Sequence, residues 1–398
     1  MTPSAQIAVQ DLGVYVQVPF CQSKCTYCNF STGVFPRKIF GPYVDAVCEE
    51  IHGHGDFYRR AGLAAWQQDE IPFAADTVYV GGGTPSLLDP GDLARILDAV
   101  RAAFGDSAAE ITLEADPETV SEEKARAWRA AGFNRISLGV QSFADVELKA
   151  VGRRHRRADI FTAVDRLGAV GLDNVSFDLI AGLPHQTAET WPASLEELLR
   201  LAPRHVSIYL LELDEGSRLG REALGSGHRY SVPALPGDDE AAACYEAACT
   251  RLAEHGYEHY EISNWALPGF RSRHNLKYWR REPYLGFGAG AHSFDGHDRW
   301  ANSHDPAIYA AAMQQRRLAL DEQETVDARQ ALEEELFLGL RQIEGIDLKA
   351  IERRYQVDLG GRVRPLAEEG LIEITGDRVR LAPSRVAVSN EVFVRLLD

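Results

Sequence analysis

The chain is predicted to be an α/β protein with a parallel sheet, closed off by a small α+β module at its C-terminus. Three observations predict this. Six short β-branched runs alternate with helical stretches through the first half of the 398 residues. The connections between those runs are long enough to be helical crossovers, which parallel strands require. The last part of the chain instead reads helix, helix, hairpin. Apolar strands covered by helices build a barrel or an open sheet, and alternation alone leaves that choice open.

The elements follow in order. Residues 14–18, Val-Tyr-Val-Gln-Val, are the first strand, and 43–60 have helical periodicity. A second strand at 77–80 ends on Gly81-Gly82-Gly83-Thr84-Pro85. The stretch 90–104 puts Leu93, Ile96, Leu97 and Val100 on one helical face. Residues 110–114 are the third strand, followed by a helix at 121–131 with Ser121 as its N-cap. Strands at 135–140, 174–180 and 205–211 are separated by helices at 157–170 and 188–201. A less regular stretch after Glu215 leads to a helix at 239–255, with Tyr245, Ala248 and Leu252 at helical spacing. An aromatic and polar segment spans 257–300. Helices at 328–342, 347–355 and 360–369 then precede a hairpin, 371–374 and 379–381, turning at Gly376-Asp377. The division expected from this order is 1–235 core, 236–325 accessory segment and 326–398 winged-helix-like module.

Hydrophobic residues at 45% and charged residues at 25% suit an ordinary globular protein. A formal net charge of -17 argues against broad nonspecific binding to nucleic acid or acidic membrane. The tail is not strongly basic, so its winged-helix outline predicts a packing or lid module rather than a DNA reader. Residues 1–10 lack a basic region followed by a long apolar stretch, which predicts no signal peptide. No run approaches the roughly 20 apolar residues of a membrane-spanning helix. The expected compartment is the cytoplasm, where thiols stay reduced.

The chemistry concentrates in Cys21-Gln22-Ser23-Lys24-Cys25-Thr26-Tyr27-Cys28. Thiolates suit zinc or iron–sulfur clusters. Zinc normally closes with four protein ligands, and Cys48, Cys244 and Cys249 are too scattered to form a second pair. Three cysteines suit a four-iron cluster with one iron left open. Other polar residues fall at strand ends, where parallel α/β barrels collect their sites. The glycine run follows strand two, Glu114 closes strand three and Gln141 follows strand four. Asp178 lies near the end of strand five, and Glu212 follows strand six.

C-x3-C-x2-C after a first strand resembles the signature of the radical S-adenosylmethionine (SAM) superfamily. That resemblance selects a partial (β/α)6 barrel and implies a [4Fe-4S] cluster on Cys21, Cys25 and Cys28. It also implies SAM bound at the open iron. In this reading the cofactor supplies reductive cleavage of a carbon–sulfur bond, while the protein orients it and excludes water. The glycine run, with Gly82, Gly83 and Thr84, resembles the family's motif for the SAM amino group. Glu114, Gln141 and Asp178 match polar SAM contacts of the coproporphyrinogen-oxidase-like branch. Arg153 falls where a SAM-carboxylate arginine is expected, with Arg154, Arg156 and Arg157 as neighbouring alternatives. Tyr15 matches a SAM-contacting tyrosine, Tyr27 is placed to pack on adenine, and Glu212 offers its backbone.

Within that branch two features resemble the HemW-type haem chaperones. The coproporphyrinogen III dehydrogenases carry a fourth cysteine two residues after the third, where this chain has Phe30. His274-Asn275-Leu276-Lys277-Tyr278-Trp279 matches the H-N-x-x-Y-W motif tied to haem binding in the chaperones. The resemblance implies haem held through His274, with Tyr278 and Trp279 shaping the site. The run 286–293 also resembles the family, as structure or pocket, with His292 a secondary candidate. The chain departs from the pattern at Gln17, usually His, and at Asp116, usually Asn. The implied partners are haem, acceptor haemoproteins and an electron donor for the cluster, and no nucleic acid. Peripheral membrane association through the acceptors and a homodimer stay open. No residue is assigned a catalytic role, and the implied protein lacks coproporphyrinogen III dehydrogenase activity. The rival readings are that dehydrogenase, a radical SAM enzyme for an unrelated substrate, and a DNA-binding regulator with a sensory cluster.

Overall fold

The first strand shows how the sheet is built. Leu12, Val14, Val16 and Val18 are fully buried on one face, while Gly13, Tyr15 and Gln17 alternate onto the other. The outward face packs under helices such as Phe40–Ala61, which buries Val44, Val47 and Ile51. The inward face is polar. The same alternation recurs in each of the next five strands, so six inward rows of polar side chains meet inside a curved sheet. The computed structural model describes residues 10–63 and 73–397. The reading of the N-terminal residues 1–9 lies outside them.

The strands are β1 Gln10–Val18, β2 Phe73–Gly82, β3 Glu110–Ala115, β4 Arg135–Gln141, β5 Val175–Ala181 and β6 His205–Leu210. After them come β7 Glu258–Glu261, β8 Asn264–Ala266, β9 Tyr284–Phe287, β10 His292–Phe294, β11 Asp298–Asn302 and β12 Leu320–Thr325. These twelve form one sheet in the order β12-β11-β10-β9-β1-β2-β3-β4-β5-β6-β8-β7. Strands β1 to β6 pair in parallel and in sequence order, with helices between them. The sheet is a partial (β/α)6 barrel with both edges extended. Segment 236–325 does not stand apart from it. Strand β9 adds to β1 in parallel, and β8 adds to β6 antiparallel.

The predicted helices form with small changes at their ends. Ser121 caps Glu122–Ala131, its hydroxyl accepting from the Lys124 amide at 3.1 Å. Short helices at Asp145–Ala150, Arg218–Leu224, Arg273–Trp279 and Pro306–Gln314 add to them. The tail holds helices Ala328–Arg341, Leu348–Tyr355 and Gly360–Glu368 beside a three-stranded sheet. That sheet is β13 Ile346–Asp347, β14 Ile372–Thr375 and β15 Arg378–Leu381, in the order β13-β15-β14. A final helix, Ser389–Leu397, returns toward the barrel mouth.

The 286–293 run is structural. Buried Glu50 accepts from the Gly288 amide at 2.9 Å, from Asn302 at 2.7 Å and from the Tyr309 hydroxyl at 2.6 Å. The Tyr43 hydroxyl takes the Ala289 amide at 2.9 Å. These bonds clamp the loop to helix Phe40–Ala61 and leave His292 exposed on the surface.

Candidate functional site

A cavity of about 700 Å³ opens at the carboxyl ends of β1 to β6, within the size range of small-molecule sites. Twelve of the sixteen residues predicted for the site line it. They are Cys21, Cys25, Cys28, Tyr27, Gly82, Gly83, Thr84, Glu114, Gln141, Arg153, Asp178 and Glu212. Period-two alternation brings Glu114 and Asp178 to the inward face, because Leu113, Ala115, Phe177 and Leu179 take the buried outward positions. Gln141 reaches the cavity differently. The pairing of β4 with β5 shifts between Leu138 and Gln141, and Gln141 adopts φ 62°. Such a bulge re-aims a side chain at a strand end, where backbone strain accompanies function.

The cysteine loop wraps one wall. Arg153 Nη1 donates to Cys25 Sγ at 3.8 Å and Nη2 to the Gly139 carbonyl at 2.7 Å. Arg153 is also ion-paired with Asp116, and the Thr84 hydroxyl donates to that carboxylate at 3.1 Å. The arginine expected for the SAM carboxylate is thus held by the residue that departs from the family pattern. Gly83 lets the backbone pass the loop, since a Cβ there would lie 2.6 Å from the Phe20 carbonyl and 3.0 Å from Cys21 Sγ. Glu114 accepts from Tyr79 at 2.8 Å and from the Gly82 amide at 2.9 Å. Burial pushes its carboxyl up to about 7. Asp178, bonded to Ser137 at 3.0 Å, is raised by burial as well.

The three thiols line one wall of the cavity, and a set of three thiolate donors is a chemistry suited to iron–sulfur ligation. Burial pushes Cys21 up to about 11 and raises Cys25. Without a cation these thiols stay protonated, and cationic iron would supply the charge that makes them thiolates.

Four predicted residues lie elsewhere. Tyr15 sits deeper on β1, where its hydroxyl donates to Gln17 at 2.6 Å. His274 and Tyr278 belong to helix Arg273–Trp279, which plugs the amino end of the barrel. The Glu110 carboxylate receives the amides of Arg273 and His274 at 3.1 and 3.0 Å. Gly13 gives this helix room, as a Cβ there would lie 2.9 Å from Lys277. His274 is 1% exposed. Its Nδ1 bonds the Thr77 hydroxyl and its Nε2 the Tyr278 hydroxyl, both at 2.9 Å. Its ring stacks on Tyr79 at 5.2 Å. Burial, with Lys277 and Arg135 nearby, lowers its pKa to about 3, so the ring is neutral. In this conformation both nitrogens are engaged. Trp279, at the other end of the helix, lies under Arg341, whose guanidinium carbon is 4.4 Å from the ring centre.

Sequence reasoning missed Tyr209, Arg341 and the Val386–Asn390 side of the wall. Tyr209 was accessible through alternation along β6. Nothing local marks Arg341, which ends a helix more than 300 positions after the cysteine loop in the chain.

Comparison with known proteins gives a consistent picture. The model of the radical SAM superfamily matches residues 15–198, and that of the HemN C-terminal domain matches 326–384. The heme chaperone HemW of Bacillus subtilis is 33% identical, covering 95% of this chain and 97% of its own. That of Mycobacterium tuberculosis is 35% identical, covering 98% and 95%. Among solved structures, coproporphyrinogen III oxidase (HemN) from Escherichia coli, described as a radical SAM enzyme, superimposes with a TM-score of 0.80. It is 21% identical, covering 98% of this chain and 90% of that one, a likeness of fold.

Proposed function

This chain belongs to the family of the heme chaperones HemW within the radical SAM superfamily, and from that premise we propose that it binds haem and passes it to acceptor haemoproteins. Membership implies a [4Fe-4S] cluster and SAM. Cys21, Cys25 and Cys28 would hold the cluster. Gly82, Gly83, Thr84, Glu114, Gln141, Arg153 and Asp178 would orient SAM, with Tyr27 against its adenine and Glu212 offering backbone. The observation that carries the reading is the convergence of these residues on one cavity whose wall carries Phe30, 65% exposed, where a fourth cysteine would stand.

The protein's own contribution is binding and orientation. Arg153, now paired with Asp116, would turn to the SAM carboxylate, and Glu114 would present acceptors beside the Gly82 amide. Tyr15 supports this floor through Gln17 and its stack on Tyr79. In this reading His274 would hold the haem iron, with Tyr278 and Trp279 shaping the site. Because both its nitrogens are engaged here, ligation is coupled to withdrawal of helix Arg273–Trp279 from the barrel. Electron supply to the cluster comes from a separate donor.

An anaerobic experiment on cluster-loaded protein tests this. Haem binding is followed by absorbance, transfer to an apo-haemoprotein by recovery of its spectrum, and decarboxylation of coproporphyrinogen III by mass spectrometry. The expected result is binding and transfer without decarboxylated product. Decarboxylated products with no haem transfer would make the protein a haem-biosynthesis enzyme.

A further inference from the structure

Part of the cavity wall lies beyond the residues assigned to the cluster and SAM. It is formed by Tyr209 at the end of β6, by Tyr245, Ile262 and Ser263, and by Arg341 and Asn390 from the tail. Tyr209 is 44% exposed, an aromatic face turned into open space rather than packed. The cavity's other cations, Lys24, Arg153 and Arg154, belong to or adjoin the cysteine loop. Arg341 is the cation of this second part.

Its setting shows what it lacks. One face of the guanidinium rests on Trp279 at 4.4 Å. One nitrogen, Nη2, reaches buried Glu261 at 3.3 Å. The other oxygen of Glu261 is already taken by the Ser263 amide at 3.1 Å and by the Asn264 side chain. The Arg341 Nε is buried and has no acceptor among the described residues. An arginine carries five donors in a planar fork suited to a carboxylate. This one is oriented by a stacked ring, partly desolvated and largely unmet, above an aromatic floor.

We propose that Arg341 is the centre of a carboxylate-binding subsite in the cavity, a docking position separate from the His274 site at the floor, which grips a propionate of the incoming tetrapyrrole while helix Arg273–Trp279 is still seated and the flat apolar body lies against Tyr209 and Ile262. The inference rests on the haem-carrier reading and extends it. It gives Trp279 a positioning role that does not depend on iron, because the ring holds the guanidinium in place. It also makes the tail module part of the site, since Arg341 and Asn390 both come from it.

The test is a spectrophotometric titration of cluster-loaded protein with haem and with haem dimethyl ester, which lacks the carboxylates. The wild type is expected to bind haem roughly tenfold or more tightly than the ester. Arg341→Gln is expected to reduce haem to the affinity of the ester and leave ester binding, SAM affinity and iron content unchanged. Loss of Arg341 strips buried Glu261 of its ion-pair partner and can impair folding. Ala387→Trp, which narrows the same wall, is therefore the second variant, expected to weaken haem binding and spare SAM. Equal affinity of the wild type for haem and ester overturns the subsite and leaves the carrier reading standing. So does unaltered discrimination in Arg341→Gln, or unaltered haem affinity in Ala387→Trp. A wild type that binds neither compound overturns both.

Discussion

The two ends of the barrel are built from the same six strands and the same polar alternation, yet they differ in hydrogen bonding. At the amino end, Thr77, His274 and Tyr278 form a closed chain, and Glu110 caps the helix that fills the floor. At the carboxyl end, the thiols, Gln141, Arg153 and Glu114 face open space, with capacity left for a ligand. A buried polar group must be satisfied within the protein or by what it binds. In this conformation the floor is satisfied from within, whereas the mouth keeps capacity for cofactors. A chemically interesting side chain such as His274 is therefore not at the mouth merely because its type suits a ligand.

Substitutions can break or sharpen this contrast. The largest effect belongs to the mouth. Cys25→Ser should abolish assembly of the cluster, read as loss of its broad absorbance and of bound iron. The unfolding free energy of the iron-free protein, from urea titration, should change by no more than about 0.5 kcal/mol, because Cys25 is only partly buried. A large loss of stability in the iron-free form would erase the distinction between the ends.

At the floor the pattern reverses. His274→Ala should destabilise the protein by about 2–4 kcal/mol, since it opens a cavity and strands two hydroxyls. Iron content and SAM affinity should persist in the fraction that folds. Wild-type stability with loss of haem binding alone would show that the floor opens readily and that His274 serves as ligand at little structural cost.

The smallest effect concerns Glu50, outside both ends. Burial raises its carboxyl to about 7 in the folded protein, against an ordinary value of 4.5. The folded state then holds this proton more tightly than the unfolded state. Its contribution to stability is full below pH 4.5 and is lost as pH rises toward 7. Glu50→Gln should flatten that decline, measured as unfolding midpoints at pH 5 and 8. Glu114 and Asp178 shift in the same direction, so part of the slope should remain. Identical slopes in variant and wild type would remove Glu50 from the account.

Local chemistry carried much of this into the sequence. Alternation of β-branched runs with helices announced the parallel sheet, because strand pleat and helical crossover each have their own period. The cysteine spacing, the glycine run and the strand-end carboxylates marked one mouth, because parallel strands deliver their carboxyl ends to the same side. The tail's helices and hairpin were legible for the same local reason. Tertiary structure decided the rest. It placed His274 at the floor, since depth in a barrel depends on which helix fills it and not on the motif. It added β8 and β9 to the two edges of the sheet, pairings between residues far apart in the chain. It set Asp116 on Arg153, and it brought Arg341 across the fold to the cavity wall over Trp279. No local periodicity encodes those meetings, because they are settled by which buried polar groups find partners once the chain has closed.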